Sequence, residues 1–251
     1  MNKFKELSSL IDNFGSQVEF WKRENPGLLE KIHCVNVEVC KGENGYRIDN
    51  AIVFNRNLRK LSETGPKYII VADNPGMDEQ KEENSCYLIG KAGQMTRNFF
   101  INNKLVEDFD SEVAVLNKTC IHTKSTVDLK KLKSFKHLID ETQVFMADIA
   151  VDMQKIFDSK LWVIGCSELK EKGVFAAYLK RLKERYENDA EDHRDQLFFY
   201  PHFSYGNFQK NLNAVLSQQP ELTVEKALVQ AGIKINYSEV KNEKTCNDQK
   251  S

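Results

Sequence analysis

A chain of 251 residues, 41% hydrophobic and 29% charged, can bury one sizeable core, and no stretch marks a second unit of comparable length. The formal net charge of −1 excludes a whole-molecule attraction to nucleic acid, so any contact with a polyanion must come from a local patch. No apolar run approaches a membrane span, and the N-terminal residues mix acids with helical periodicity, which argues against a signal or transit peptide and for an intracellular, cytoplasmic protein.

Residues 1–31 place Phe4, Leu7, Leu10, Ile11 and Phe14 on one stripe, which predicts an amphipathic helical extension packed onto a sheet. Residues 35–39 alternate apolar and polar, as a short peripheral strand would, and Asn44-Gly45 is a turn signal. The main alternation then begins. Strands are expected at 68–72, 113–116, 161–164 and 197–200, separated by helices near 92–104, 129–157 and 175–186 and closed by helices at 207–216 and 224–231. Strands alternating with helices of that length imply right-handed crossovers and an α/β fold, a three-layer αβα domain around a mainly parallel four-stranded sheet. Residues 1–237 form the single expected domain. The tail 238–251 has too few apolar residues to bury and is expected to be disordered.

The apolar run of residues 68–72 ends abruptly at Asp73-Asn74-Pro75-Gly76, placing two polar side chains at a strand's carboxyl end, where ligands bind in open parallel sheets. Gly90-Lys91-Ala92-Gly93 opens a helical segment whose free backbone N–H groups suit a phosphate or a polar base edge. Six lysines, Lys118, Lys124, Lys130, Lys131, Lys133 and Lys136, stand against the single acid Asp128 in residues 117–137. Phosphate contact and a solvated helix face are both open readings of that run. The six cysteines, Cys34, Cys40, Cys86, Cys120, Cys166 and Cys246, contain no Cys-x-x-Cys pair, and His33-Cys34 has no second pair at zinc-binding spacing, so no metal site is expected.

In order and spacing these motifs resemble the uracil-DNA glycosylase superfamily over roughly residues 52–216. Ala72-Asp73-Asn74-Pro75-Gly76 resembles its first loop, of Gly-x-Asn-Pro-Gly or Gly-Glu-Ala-Pro-Gly type. Gly90-Lys91-Ala92-Gly93 is similar to the Gly-Arg-Ala-Gly of the iron–sulfur branch, Val113 to Asn117 to the strand ending in a base-reading asparagine, and Tyr200-Pro201-His202-Phe203-Ser204 to the second loop, normally His-Pro-Ser. The spacing of Cys34, Cys40, Cys120 and Cys166 departs from the cluster ligands of that branch, so no iron–sulfur cluster is expected. The resemblance implies a monofunctional, monomeric glycosylase that removes uracil or a related base from DNA in base excision repair, without metal or cofactor. The alternative is a glycosylase-like module that binds nucleic acid or a nucleotide without chemistry. A phosphate-binding enzyme built on Gly90–Gly93 is weaker, lacking a dinucleotide or Walker pattern.

Such a reaction needs an extruded base, stabilisation of the departing anion and a delivered water. By resemblance Asn74 positions the water, with Asp73, which can accept a proton, as rival or helper; Asp73 as a turn cap is the bland alternative. His202 would stabilise the base anion, and Asn117, with a donor and an acceptor side by side, complements the O4 and N3–H edge of uracil. The stacking ring expected before Gly90 falls in register on Leu88, with Tyr87 one place early. Phe203 replaces the usual proline of the second loop, which loosens it. Gly90, Lys91, Gly93, Ser204, Tyr205, Lys130, Lys131 and Lys133 are the candidate DNA contacts, with Tyr205 and Phe208 as wedge candidates, or Phe208 as core. Gly76 stands where the strictest uracil enzymes carry a bulky aromatic, which implies tolerance of substituents at C5.

Overall fold

The structure, a computed structural model, describes residues 2–39, 47–187, 193–203 and 206–232. The expected turn at Asn44-Gly45, the candidates Ser204 and Tyr205, Cys40, Cys246 and the tail 238–251 lie outside these residues. Four strands, β1 (Tyr68–Ala72), β2 (Val113–Asn117), β3 (Lys160–Ile164) and β4 (Leu197–Tyr200), form one all-parallel sheet in the order β2-β1-β3-β4. β1 and β2 are buried at every position, as expected where helices cover both faces.

The period of two sorts the strand side chains onto the faces. Tyr68, Trp162 and Tyr200 share one face, where their rings meet Phe100 of α3 (Lys91–Asn102) and Phe208 of α7 (Asn207–Gln218) at 4.9–5.4 Å. The Tyr200 hydroxyl donates to the Leu228 carbonyl of α8 (Val224–Ala231), holding that helix on the same side. α5 (Lys136–Phe157) covers the other face and is tied to α6 (Ala176–Glu187) by Arg181 and Arg185, which pair with Asp148 and Asp152. The crossover leaving β1 therefore runs on one face and that leaving β2 on the other. The chain winds from β1 outward to β2 and then crosses back over β1 to β3, so the topological switch point, the crevice where α/β sheets bind ligands, lies between the carboxyl ends of β1 and β3.

The N-terminal region departs from expectation in three ways. Asn25, Pro26 and Gly27 break it into α1 (Lys3–Glu24) and α2 (Leu28–Val39), the Asn25 side chain capping the Trp21 carbonyl at 2.9 Å. Residues 35–39, expected as a strand, belong to α2: Leu28, Ile32 and Val35 are buried at helical spacing, and that period overrides the short local alternation. α1 packs on α5 through Phe14, Trp21 and Phe145, with Trp21 Nε1 donating to Glu141, instead of lying on the sheet. Its buried stripe is Leu7, Ile11, Phe14, Val18 and Trp21, while Phe4 is 38% exposed. Each fully buried side chain of this size is worth roughly 1.5–3 kcal/mol, and all five belong to one continuous core reaching Leu228, so α1 is part of the domain.

The helix expected over 129–157 begins only at Lys136. Residues before it form two 3₁₀ turns, Thr126–Lys131 and Lys133–Phe135, and a short helix α4 (Phe109–Glu112), capped by Asp108, precedes β2. Among the described residues no helix is long and apolar enough to cross a membrane.

Candidate functional site

The end of β1 opens the site. Pro75 and Gly76 turn the chain away from the sheet, and the turn is braced from three sides. Buried His122 donates from Nδ1 to the Pro75 carbonyl at 2.8 Å, since a carbonyl can only accept. Glu79 accepts the Gly76 N–H at 3.0 Å and the Ile89 N–H at 3.3 Å, tying this turn to the segment that should supply the stacking ring. Burial raises the Glu79 carboxyl above its usual range, opposed by these backbone N–H groups. The third brace is Asn74 itself. Its Nδ2 donates to Thr123 Oγ1 at 3.0 Å and its Oδ1 accepts from Thr126 Oγ1 at 2.9 Å, which leaves one lone pair of the amide oxygen unused.

Asp73 points the other way. Its Oδ1 accepts from Lys118 Nζ at 2.5 Å, and Gly165, at φ +77°, leaves room for the carboxylate: a Cβ there would lie 2.7 Å from Oδ1. Glycine is required at 165 by both the left-handed backbone and this close approach. Lys118 corrects one expectation. Counted with the surface lysines, its side chain is 0% exposed, while that of Asp73 is 20% exposed.

Asn117 closes β2 in register with Ala72 of β1. It is 1% exposed, and its Nδ2 has no hydrogen-bond partner among the described residues. An unpaired buried donor costs about 1–3 kcal/mol. His202 follows β4, half-buried; burial lowers its pKa below 6.5, Asp73 pulling the other way and Lys118 reinforcing the fall, so the ring is neutral at pH 7. The coupling of His202 to both partners of the ion pair brings the ends of β1, β2, β3 and β4 into one electrostatic unit.

The remaining candidates divide. Tyr87 is not a stacking ring here: it is 2% exposed, and its hydroxyl donates to the Val53 carbonyl at 2.5 Å, which draws the ring into the core. Leu88, half-buried, occupies the register position with a left-handed backbone at φ +54°. Gly93 is buried beneath it, where a Cβ would lie 1.6 Å from the Leu88 carbonyl oxygen, so this close approach requires glycine. Gly90 caps α3 without a side-chain bond, and Lys91 is exposed. Lys130, Lys131 and Lys133 are exposed on the 3₁₀ turns that start at Thr126, beside Asn74, and Lys131 pairs with Asp128 at 2.7 Å. Phe203 is buried against Phe208, ring centroids 4.2 Å apart, so aromatic packing supplies the constraint that the missing proline would have given. Phe208 is core.

His122, Glu79, Thr123, Thr126 and Gly165 were not singled out in the sequence. For Glu79 a signal exists, an acid three residues after a Pro-Gly turn. For Gly165 it is a glycine directly after a strand. No protein-family model matches the chain, and no curated protein matches it.

The bracing histidine gives a pH prediction. Burial holds the folded-state pKa of His122 down, to about 4, below the unfolded value near 6.5. The unfolded chain therefore binds more protons between these limits. The His122 contribution is undiminished above pH 6.5 and falls as the pH drops to 4, by roughly 3 kcal/mol in all. The difference in unfolding free energy between the native protein and His122→Asn, measured in urea, should narrow across this window; a constant difference rejects the assignment.

Proposed function

We propose that this protein is a DNA glycosylase that removes uracil or a related deaminated or damaged base, as the resemblance of its loops implies. The observation that carries the reading is Asn117. A buried amide whose donor meets no partner among the described residues, at the end of β2 in register with the end of β1 and one strand from the β1/β3 switch point, has the group needed to meet a base edge: Nδ2 toward O4 and Oδ1 toward N3–H. A flipped base would satisfy a donor that none of the described residues meets.

The chemistry follows from the neighbours. The glycosidic electron pair departs with the base, whose developing charge is met by the neutral His202 ring. The oxygen of a water held at the first loop bonds to the sugar carbon, and its proton passes to a carboxylate oxygen and then to solvent, from which the base anion takes a proton. Of the two loop residues the geometry favours Asp73 as proton acceptor, because its Oδ2 has no hydrogen-bond partner among the described residues while the Asn74 amide is held at both ends. Asn74 offers the water its one remaining lone pair. Lys130, Lys131 and Lys133 flank the loop as phosphate contacts.

A second reading, a recognition module without chemistry, is favoured by one feature: a leucine, Leu88, stands where a stacking ring is expected, and Tyr87 is drawn into the core. Oligonucleotides bearing single modified bases separate the two. Alkali-cleavable abasic sites support the glycosylase; retention of labelled DNA without cleavage supports the module.

Specificity supplies a further prediction. Around a Cβ built at Gly76 nothing lies within 4 Å, so the loop leaves space where a C5 substituent would sit. The native protein should release 5-hydroxymethyluracil as well as uracil, and Gly76→Tyr should suppress the former more. Release of uracil with no action on 5-substituted uracils would mean that another residue closes that side.

A further inference from the structure

Lys118 bridges three strand ends. Its backbone N–H donates to the carbonyls of Ala72 and Asp73, at 2.9 and 3.0 Å, while Nζ donates to Asp73 Oδ1 and to the Ile164 carbonyl, both at 2.5 Å. The ammonium also lies 5.0 Å from the centre of the Phe175 ring. Burying an ammonium costs several kcal/mol unless its donors are met, and here two oxygens and an aromatic face meet them. The pair is lopsided. The cation is wholly enclosed, yet the carboxylate is 20% exposed, with no partner for Oδ2 among the described residues, packed against Gly165, where a Cβ would collide with it, and close enough to His202 to shift its titration. Partial exposure spares the carboxylate some desolvation cost and also keeps Oδ2 open toward the site.

We propose that Lys118 is a positioning residue: from beneath the site it holds Asp73 in one orientation, so that Oδ2 faces the water that attacks the sugar. This inference rests on the glycosylase reading and deepens it. With an ammonium at hydrogen-bond distance, the pair presents little net charge to the sugar. Asp73 then works by orienting the water and taking its proton, more than by its field.

Single-turnover base release and DNA affinity should be measured for the native protein, Lys118→Met, Asp73→Asn and the double variant. Lys118→Met should slow release by about 10-fold or more while leaving affinity nearly unchanged, since the interaction lost acts in the transition state. The double variant should be no slower than Asp73→Asn, because a residue acting through Asp73 has nothing left to act on. An active native protein whose Lys118→Met keeps its rate, or whose two losses multiply in the double variant, overturns the inference alone. A native protein that releases no base from any oligonucleotide overturns the glycosylase reading and this inference with it. If Lys118→Met lacks a cooperative unfolding transition, Lys118→Gln, which keeps a donor for Ile164, is read in its place; failure of both to fold marks the lysine as purely structural and overturns the inference.

Discussion

Asp73→Asn should slow base release in a single turnover by roughly 10²-fold or more, the loss typical of removing one preorganised group aimed at reacting atoms. The substitution preserves shape and one acceptor but removes the oxygen that takes the proton, so affinity for DNA should persist. It also leaves the Lys118 ammonium without its counter-charge, and the variant should unfold at lower urea concentration than the native protein. Asn74→Ala should slow release by only about 10-fold, because its amide contributes one lone pair to orientation and spends the rest on Thr123 and Thr126. A greater loss at Asn74 than at Asp73 would return the water to Asn74.

His202→Ala should lower the same rate by about 10- to 100-fold with little change in affinity. A neutral imidazole N–H aimed at a carbonyl oxygen gains strength only as charge moves onto the base, and burial keeps this ring neutral at pH 7. Equal losses in rate and affinity would make His202 a ground-state binding residue instead. The two effects differ in chemistry but share an electrostatic environment, since Asp73 and Lys118 both act on His202. The double variant Asp73→Asn/His202→Ala should therefore depart from simple multiplication of the two losses.

The sheet was legible because its signals are local. An apolar run without interruption, as in Tyr68–Ala72, reads as a strand buried on both faces, and four such runs separated by helical stretches leave few topologies. The loop ends were legible for the same reason, with Asp73, Asn117 and His202 each adjoining a strand's carboxyl end. What escaped is non-local. Lys118 follows a strand and precedes five more lysines, so residue type placed it on the surface; its burial depends on Asp73, 45 residues earlier, and on Ile164, 46 residues later. Tyr87 lies one position from the expected ring, but the Val53 carbonyl that captures its hydroxyl comes from a segment 34 residues away. The strand expected at 35–39 failed for a related reason: a five-residue alternation competed with a helical period that Leu28 and Ile32 had already begun.

The central claim is that the crevice at the carboxyl ends of β1, β2 and β3 breaks a glycosidic bond, and the most direct measurement is of the free base itself. A duplex and a single strand, each carrying one uracil labelled in the base, would be incubated with excess native protein and with Asp73→Asn, and the products separated by chromatography. The native protein should release free uracil in step with abasic sites, and Asp73→Asn should release it roughly 10²-fold more slowly. Tight binding of the uracil-containing strands by the native protein, with all label remaining in the DNA, would contradict the account and leave a recognition module in its place.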